Sequence, residues 1–379
     1  MSVPSEAATV NSQSSDSERL AAFADRVIGH RNLLAVRDGF LSRVAMPANV
    51  QIAFLYGPTG VGKTTLISAV ERDVRRRYRS AAEQDPDLVP VVAVRAAPAE
   101  AGPFGWSDLY LRIMLGLAEP HVERRIVRSP VQEEARRGHG RGRSTAELRR
   151  FAIGSLRQHK TAALLIDEAQ HMGRVASGRG FLAQLDVLKS LADETGALVG
   201  LIGTYDLPSL IELNGQLARR SEMFHLGRYG PNDDADRQEF ANIVAALARY
   251  LPLPQSSELM DRLGFLYEGS LGLVGVLKPW LDRALARALE RKAGSLSEAD
   301  LQATRLGSNA RLRIAEEIHA YESTLPGEDD SSARIRALLG VTPPTKGGVP
   351  GPMHERPRRF TAVGERKPVR DPVGIAASA

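Results

Sequence analysis

Cysteine is absent from the 379 residues, which excludes disulfide bridges and thiolate-ligated zinc. The eight histidines show no ligand-type spacing, so no protein-held metal centre is expected beyond Mg²⁺ brought by a substrate. No apolar run approaches the ~18 residues needed to cross a bilayer. The first eighteen residues are rich in Ser and Ala, without a basic start or an apolar core, so no secretory leader is evident. The expectation is a cytosolic protein with no membrane span. A chain of this length holds one α/β domain of ordinary size, a smaller companion and tails.

What is present begins with Gly57 to Thr65, GPTGVGKTT, directly behind the apolar run Ile52-Ala53-Phe54-Leu55-Tyr56. It satisfies G-x4-G-K-[ST] through Gly57, Gly62, Lys63 and Thr64. Glycines at this spacing let backbone N–H groups turn inward around phosphate oxygens, while the lysine reaches the β- and γ-phosphates. The Thr64 hydroxyl is a ligand for Mg²⁺, and the helix that opens at Thr64-Thr65 points its positive end at the anion. The cradle comprises Gly57, Pro58, Thr59, Gly60, Val61, Gly62, Lys63, Thr64 and Thr65. A nucleoside triphosphate, ATP, is the expected ligand.

Along the chain, residues 1–18 read as disordered. Leu20, Phe23 and Val27, then Leu33, Val36, Phe40 and Val44, recur at helical spacing. Strands are expected at Gln51–Tyr56, Pro90–Arg95, Ala162–Ile166, Ala197–Gly203 and Met223–Arg228, with helices at Trp106–Leu117 and Ala146–His159 between them. Strands alternating with helices imply right-handed βαβ units and a parallel sheet covered on both faces. Beyond Pro231 the strand signals stop. Asp234–Tyr250, Ser257–Tyr267 and Leu271–Lys292 read as helices, Ser297-x-x-Asp300 resembles a capping box, and Arg311–Tyr321 and Ala333–Leu339 are shorter helical patterns. The expected division is an α/β domain at 19–229, a helical lid at 230–322, a linker at 323–342 and a basic, disordered tail at 343–379.

Two further features carry chemistry. LLIDEAQ, Leu164 to Gln170, is a buried strand that delivers adjacent carboxylates. That order puts Asp167 beside Mg²⁺ and lets Glu168 polarise a water that attacks the γ-phosphate in line. Thr204 ends the next strand, where a small polar side chain can orient that water. Arg219-Arg220 precede the last strand, from which an arginine can reach a neighbouring protomer's γ-phosphate. Charge is uneven. His121 to Lys160 holds eleven Lys/Arg against four Asp/Glu, and Val341 to the end seven against three, within a net charge of +5. Such excess suits a polyanion such as DNA.

The succession GPTGVGKTTL, LLIDEAQHM, GLIGTYDL, GQLARRS, then a helical unit containing EGSLGLVGVL, resembles the AAA+ ATPases. Through PAEAGPFGWSDLYLRIML and IGTYDLPSLIELNGQLARRSEMFHLGRY it resembles the TnsC/TniB transposition regulators, over roughly Val27 to Leu306. The resemblance implies a five-stranded parallel sheet of order 5-1-4-3-2 with helices on both faces, followed by a small helical lid. It implies ATP with Mg²⁺ bound between protomers, and assembly as a ring or helical filament on duplex DNA in a bacterial cytoplasm. Partner roles fall to a transposase and a target-selector protein. By position, Lys63 and Thr64 are Walker A, Asp167 and Glu168 Walker B, Thr204 sensor 1, and Arg220, with Arg219 next, the arginine finger. Val27 and Ile28 border the adenine. Where many relatives place a sensor 2 arginine, this chain has Leu271-Gly272-Leu273-Val274, with Lys278 the nearest cation.

Candidate DNA contacts are the loop at Phe104–Trp106 and Arg136, Arg137, Arg141 and Arg143, through backbone rather than base readout, with Trp106 read first as an apolar ring packed in the core rather than one that stacks on bases. Competing readings are another AAA+ ATPase of the same motif order, secretion-associated or of helicase-loader type, and a P-loop small-molecule kinase. Secretion relatives usually carry a membrane span or a wall-binding module, and neither is evident. Such kinases need neither a lid after a sensor strand nor an arginine pair before the last one.

Overall fold

The computed structural model describes residues 15–46, 50–98, 104–117, 144–173, 178–211, 220–324 and 328–339. Its centre is a parallel sheet of β1 (Ile52–Tyr56), β2 (Val91–Arg95), β3 (Ala163–Asp167), β4 (Leu198–Gly203) and β5 (Ser221–His225), in the order β2-β3-β4-β1-β5. Read from the other edge this is the expected 5-1-4-3-2. Every residue of β1 and of β4 is buried, the continuous apolar pattern of strands covered on both faces. β5 lies at an edge and is only partly buried.

Helices α1 (Asp16–Ala24) and α2 (Arg31–Ala45) precede the sheet, and α3 (Lys63–Arg77) and α4 (Arg79–Gln84) follow β1. Next come α5 (Trp106–Gly116), α6 (Thr145–Gln158), α7 (Gly178–Thr195) and α8 (Asp206–Ile211). Ser144 caps α6, accepting from Glu147 N–H, while the Glu147 side chain accepts from Ser144 N–H. That reciprocal pair satisfies two otherwise orphaned donors. The helices beyond the sheet, where the lid is expected, are α9 (Asp234–Tyr250), α10 (Leu263–Ser270), α11 (Val274–Glu290) and α12 (Glu298–Thr304), followed in sequence by α13 (Ser308–Glu322).

Two apolar cores result. One joins the sheet to α2, α3, α5, α6 and α7. The other sits in the lid around the fully buried Trp280, whose Nε1–H donates to Leu301 O at 2.9 Å. Two helices pack away from their neighbours in sequence. Phe23 of α1 belongs to the lid core, and Ile318 of α13 belongs to the sheet core. A separate unit, Thr324–Ala379, contains α14 (Glu328–Leu338).

Three expected boundaries are corrected. The last strand runs Ser221–His225 rather than Met223–Arg228, in register with Ile52–Tyr56 of β1. An edge strand buries one face only, so the polar Ser221 and Glu222 are admitted. Leu226, the most buried residue of the run, lies just past the ladder, its N–H bonded to Tyr56 O at 2.8 Å. The helix expected at Ser257–Tyr267 is a 3₁₀ turn, Ser256–Arg262, followed by α10. The helix expected from Leu271 starts at Val274, because Leu271 (φ 59°) and Gly272 (φ 72°) are left-handed and close α10.

Candidate nucleotide site

Parallel strands bring the ends of β1, β2, β3 and β4 to one side of the sheet, where a crevice forms for geometric reasons. Here it is a cleft of about 620 Å³, lined by the P-loop from Thr59 to Thr65, by Glu168, Gln170, His171 and Thr204, by Val27, Ile28 and His30, and by Val274, Gly275, Lys278 and Asp282 of the lid.

The P-loop adopts the shape its glycines allow. Gly62 has φ 111°, a left-handed value that favours glycine, and a Cβ there would meet nothing within 4 Å. The concave backbone therefore faces open cleft, a cradle for an anion. Lys63 Nζ donates to Gly57 O and Pro58 O at 2.8 and 2.9 Å. Burial holds its ammonium below the usual lysine range, opposed by the carboxylates of Glu317, Glu168 and Asp167, in that order. A cation desolvated in this way is attracted strongly to any phosphate that enters.

The lid reaches this loop directly. A Cβ on Gly275 would lie 2.5 Å from Gly60 O and 2.9 Å from Gly62 N, so only glycine lets α11 sit there. Four residues on, Pro279 has no N–H to give Gly275 O, which keeps that carbonyl out of the helical ladder beside the cleft. Lys278 lines the cleft too, but its Nζ donates to Asp282 at 2.6 Å and to Ala24 O at 3.3 Å, and lies 4.3 Å over the Phe23 ring. It is engaged in tying α11 to α1.

Asp167 ends β3, and burial pushes its carboxyl up, against the Glu168 N–H that donates to its Oδ1 at 2.9 Å. Glu168 follows with φ 55°, a strained value for a side chain of this kind. Its oxygens are held laterally. Gln170 Nε2 donates to one at 2.5 Å, and the Arg95 guanidinium stands 3.6 Å from the other. Thr204 N–H donates to Gln170 Oε1 at 3.4 Å, so Gln170 bridges the ends of β3 and β4. Among the described residues no group of three or more potential side-chain ligands holds a metal alone. The Thr64 hydroxyl and the Asp167 carboxylate are hard oxygen donors of the type Mg²⁺ prefers, too few to hold it without phosphate and water oxygens.

Val27 and Ile28 stand together at the cleft mouth beside His30. Val27 is 57% exposed, which marks a ledge rather than core packing. His30 is buried and held neutral by burial, its pKa down to about 4, with Glu239 opposing. Its Nδ1 is 2.8 Å from the Tyr229 hydroxyl.

Arg220 does not line this cleft. Arg220 precedes β5 at the far end of the sheet from the P-loop, its N–H groups near Gln51 Oε1 (3.5 Å) and Asp193 (3.9 Å). Arg219, the Arg136–Arg143 cluster and the tail from Pro343 lie outside the described residues. For the loop at Phe104–Trp106 the core reading holds. Phe104 is buried, and Trp106 packs edge-on to it with ring centroids 5.4 Å apart and tilts over Tyr110, so these rings belong to the core. Sequence reading missed Arg95, Gln170, His171, His30 and Gly275. Of these, only Gln170, beside the Asp-Glu pair, carried a local signal.

Residues 48–211 match the AAA domain family model, and the sheet has the strand order expected above for a P-loop NTPase of this type. Among solved structures, the Aeropyrum pernix ORC2 protein in its ADP form is similar in fold, with a TM-score of 0.50 at 17% identity over 75% of this chain and 71% of that one. ORC2 in its ADPNP-ADP complexes gives 0.48 at 17% identity over 74% and 70%. Drosophila ORC bound to DNA gives 0.46 at 13% identity over 90% and 87%. No curated protein sequence matches the chain.

Proposed function

We propose that the protein is an ATP-hydrolysing AAA+ regulator of DNA transposition that assembles on duplex DNA. The observation that carries the ATPase reading is convergence: Lys63, Thr64, Glu168 and Thr204 come from separate segments and line one cleft. Lys63 and the P-loop N–H groups hold the β- and γ-phosphates. Thr64 and Asp167 would hold Mg²⁺, which would supply positive charge to the phosphate oxygens. Glu168 takes a proton from water as its oxygen attacks the γ-phosphorus and ADP leaves, with Thr204 orienting that water. To do so, Glu168 must turn from Arg95 and Gln170, so hydrolysis is slow until a partner or DNA resets them.

Arg220 acts on a neighbour's nucleotide rather than its own. β5 has five residues, so Arg220 stands ~13 Å or more along the sheet from the strand ends. This favours a ring or helical filament in which each site is completed in trans, by Arg220 or Arg219. Arg72, Arg75 and Arg76 of α3 are more than half exposed and give a basic surface for phosphate backbones. The motif order and linking segments, similar to TnsC/TniB, support partners in a transposase and a target selector, with the basic tail as a docking segment.

The test is ATP turnover with and without duplex DNA, across a salt series. Turnover should rise with DNA of any sequence and lose that stimulation steeply with salt, about −0.9 in log K against log salt per phosphate neutralised. Glu168→Gln should retain ATP-dependent DNA binding while turnover is lost. Turnover indifferent to duplex DNA would remove the DNA reading and leave the nucleotide site standing.

A further inference from the structure

Helix α13 is seated where the two motif strands end. Tyr321 lies face to face with Tyr205, ring centroids 3.9 Å apart at 8°, and edge-on to Tyr56 at 5.9 Å. Tyr56 is the last residue before the P-loop, and Tyr205 the first after Thr204. Ile318 anchors the helix in the sheet core, and Glu322 accepts two hydrogen bonds from Arg228 at 2.9 and 2.7 Å. One turn before Tyr321, Glu317 has a buried Oε1 with no hydrogen-bond partner. Of the carboxylates acting on Lys63, Glu317 acts most strongly, ahead of Asp167 and Glu168.

A buried carboxylate oxygen without a partner costs free energy, and neither phosphate binding nor hydrolysis needs this one. Its place is explained if it is the charge that Lys63 faces while no phosphate is bound. We propose that α13 is a strap that competes with the γ-phosphate. It is seated through Tyr321 and Ile318 when that phosphate is missing, and it is unseated when the phosphate's like charge arrives beside Glu317. The strap therefore selects against the triphosphate until it lets go, and its release reports the ATP-bound state. This rests on the reading of the P-loop as an ATP site.

ATP and ADP differ by the group that would meet Glu317, so the test compares them on the full chain. Glu317→Gln keeps the shape and removes the charge, and it should tighten ATP about fivefold relative to ADP, a modest Coulomb effect in a partly screened site. Amide hydrogen exchange of 308–322 should be faster with a non-hydrolysable ATP analogue and Mg²⁺ than with ADP or without nucleotide. Tyr321→Ala should bring the nucleotide-free exchange to the ATP-like level. An unchanged ATP-to-ADP ratio in Glu317→Gln, or equal or greater protection of α13 with the ATP analogue, overturns the strap while the nucleotide site survives. No binding of either nucleotide to the unaltered chain takes down both readings together.

Discussion

Asp167 and Asp300 are acids drawn away from water, one in the sheet lobe and one in the lid, and burial has opposite outcomes for them. Asp300 is 1% exposed. Burial alone would push its carboxyl up, but hydrogen bonds from Ser297 and Arg291 outweigh that, and it titrates below the usual range. It caps α12 and anchors both Arg291 and Arg287. For Asp167 burial wins, because Glu168 N–H is the hydrogen-bond donor acting on it while Arg95 and Lys63 act from a distance. A buried acid with all its partners in place is structure. One left short of partners is poised to receive a cation. The contrast between these two acids is one of partners, not of burial: Asp300 has Ser297 and Arg291 bonded to it, and Asp167 has one backbone N–H.

The contrast predicts that strand-end residues cost binding or turnover and little stability, whereas lid residues do the reverse. Lys63→Ala should show the largest effect, a loss of ATP affinity on the order of a hundredfold or more, since a desolvated charge-assisted contact disappears. Its melting temperature should stay within a few degrees, as only two P-loop carbonyls lose a donor. Calorimetric titration together with a thermal melt reads both numbers. Unaltered affinity would remove the phosphate role from this lysine and the contrast with it.

The paired substitutions Asp167→Asn and Asp300→Asn sharpen the comparison. Asn at 300 leaves two arginines facing a neutral amide, and the expected loss is about 3 kcal/mol of lid stability, of the order found when one partner of a buried ion pair is removed. ATP binding should persist at low temperature. Asn at 167 should leave the melt unchanged or slightly raised while Mg²⁺-dependent turnover falls by two orders of magnitude or more. If both variants lose stability alike, the poised state of Asp167 is not what distinguishes it.

How much of this was legible follows the same line. β1, β3 and β4 could be read because strands buried on both faces leave continuous apolar runs, and the P-loop and Asp-Glu motifs keep fixed spacing. β5 slipped because an edge strand admits Ser221 and Glu222. The break at Leu271-Gly272 was hidden inside an apolar stretch whose left-handed turn depends on contact with Tyr229 and Tyr267. Gly275 mattered only once α11 met Gly60 and Gly62, more than two hundred residues earlier in the chain. Glu317 had no local signal at all. What stayed illegible is what one lobe supplies to the other.

His30 gives the smallest effect and tests the compensated side of the comparison at the mouth of the cleft. Asn32 N–H donates to the Tyr229 hydroxyl at 3.3 Å, which leaves the hydroxyl proton for His30 Nδ1. Burial raises the Tyr229 phenol to about 12, so it stays protonated and the pair is neutral. Protonating His30 would set two donors against each other. Its pKa is about 4 in the fold and ~6.5 unfolded, so below pH 6.5 the unfolded chain binds more protons. Stability is therefore full at neutral pH and is lost as pH falls through this window, by about 2 kcal/mol from pH 7.5 to pH 5. Other carboxylates also titrate on acidification, so the measurement is a difference: denaturant melts of the unaltered chain and of His30→Gln at both pH values. The variant should be the less stable at pH 7.5, with the gap narrowing by about 2 kcal/mol at pH 5. A gap that does not change with pH would mean that His30 is not held neutral and that the cleft mouth is more open to water than its packing implies.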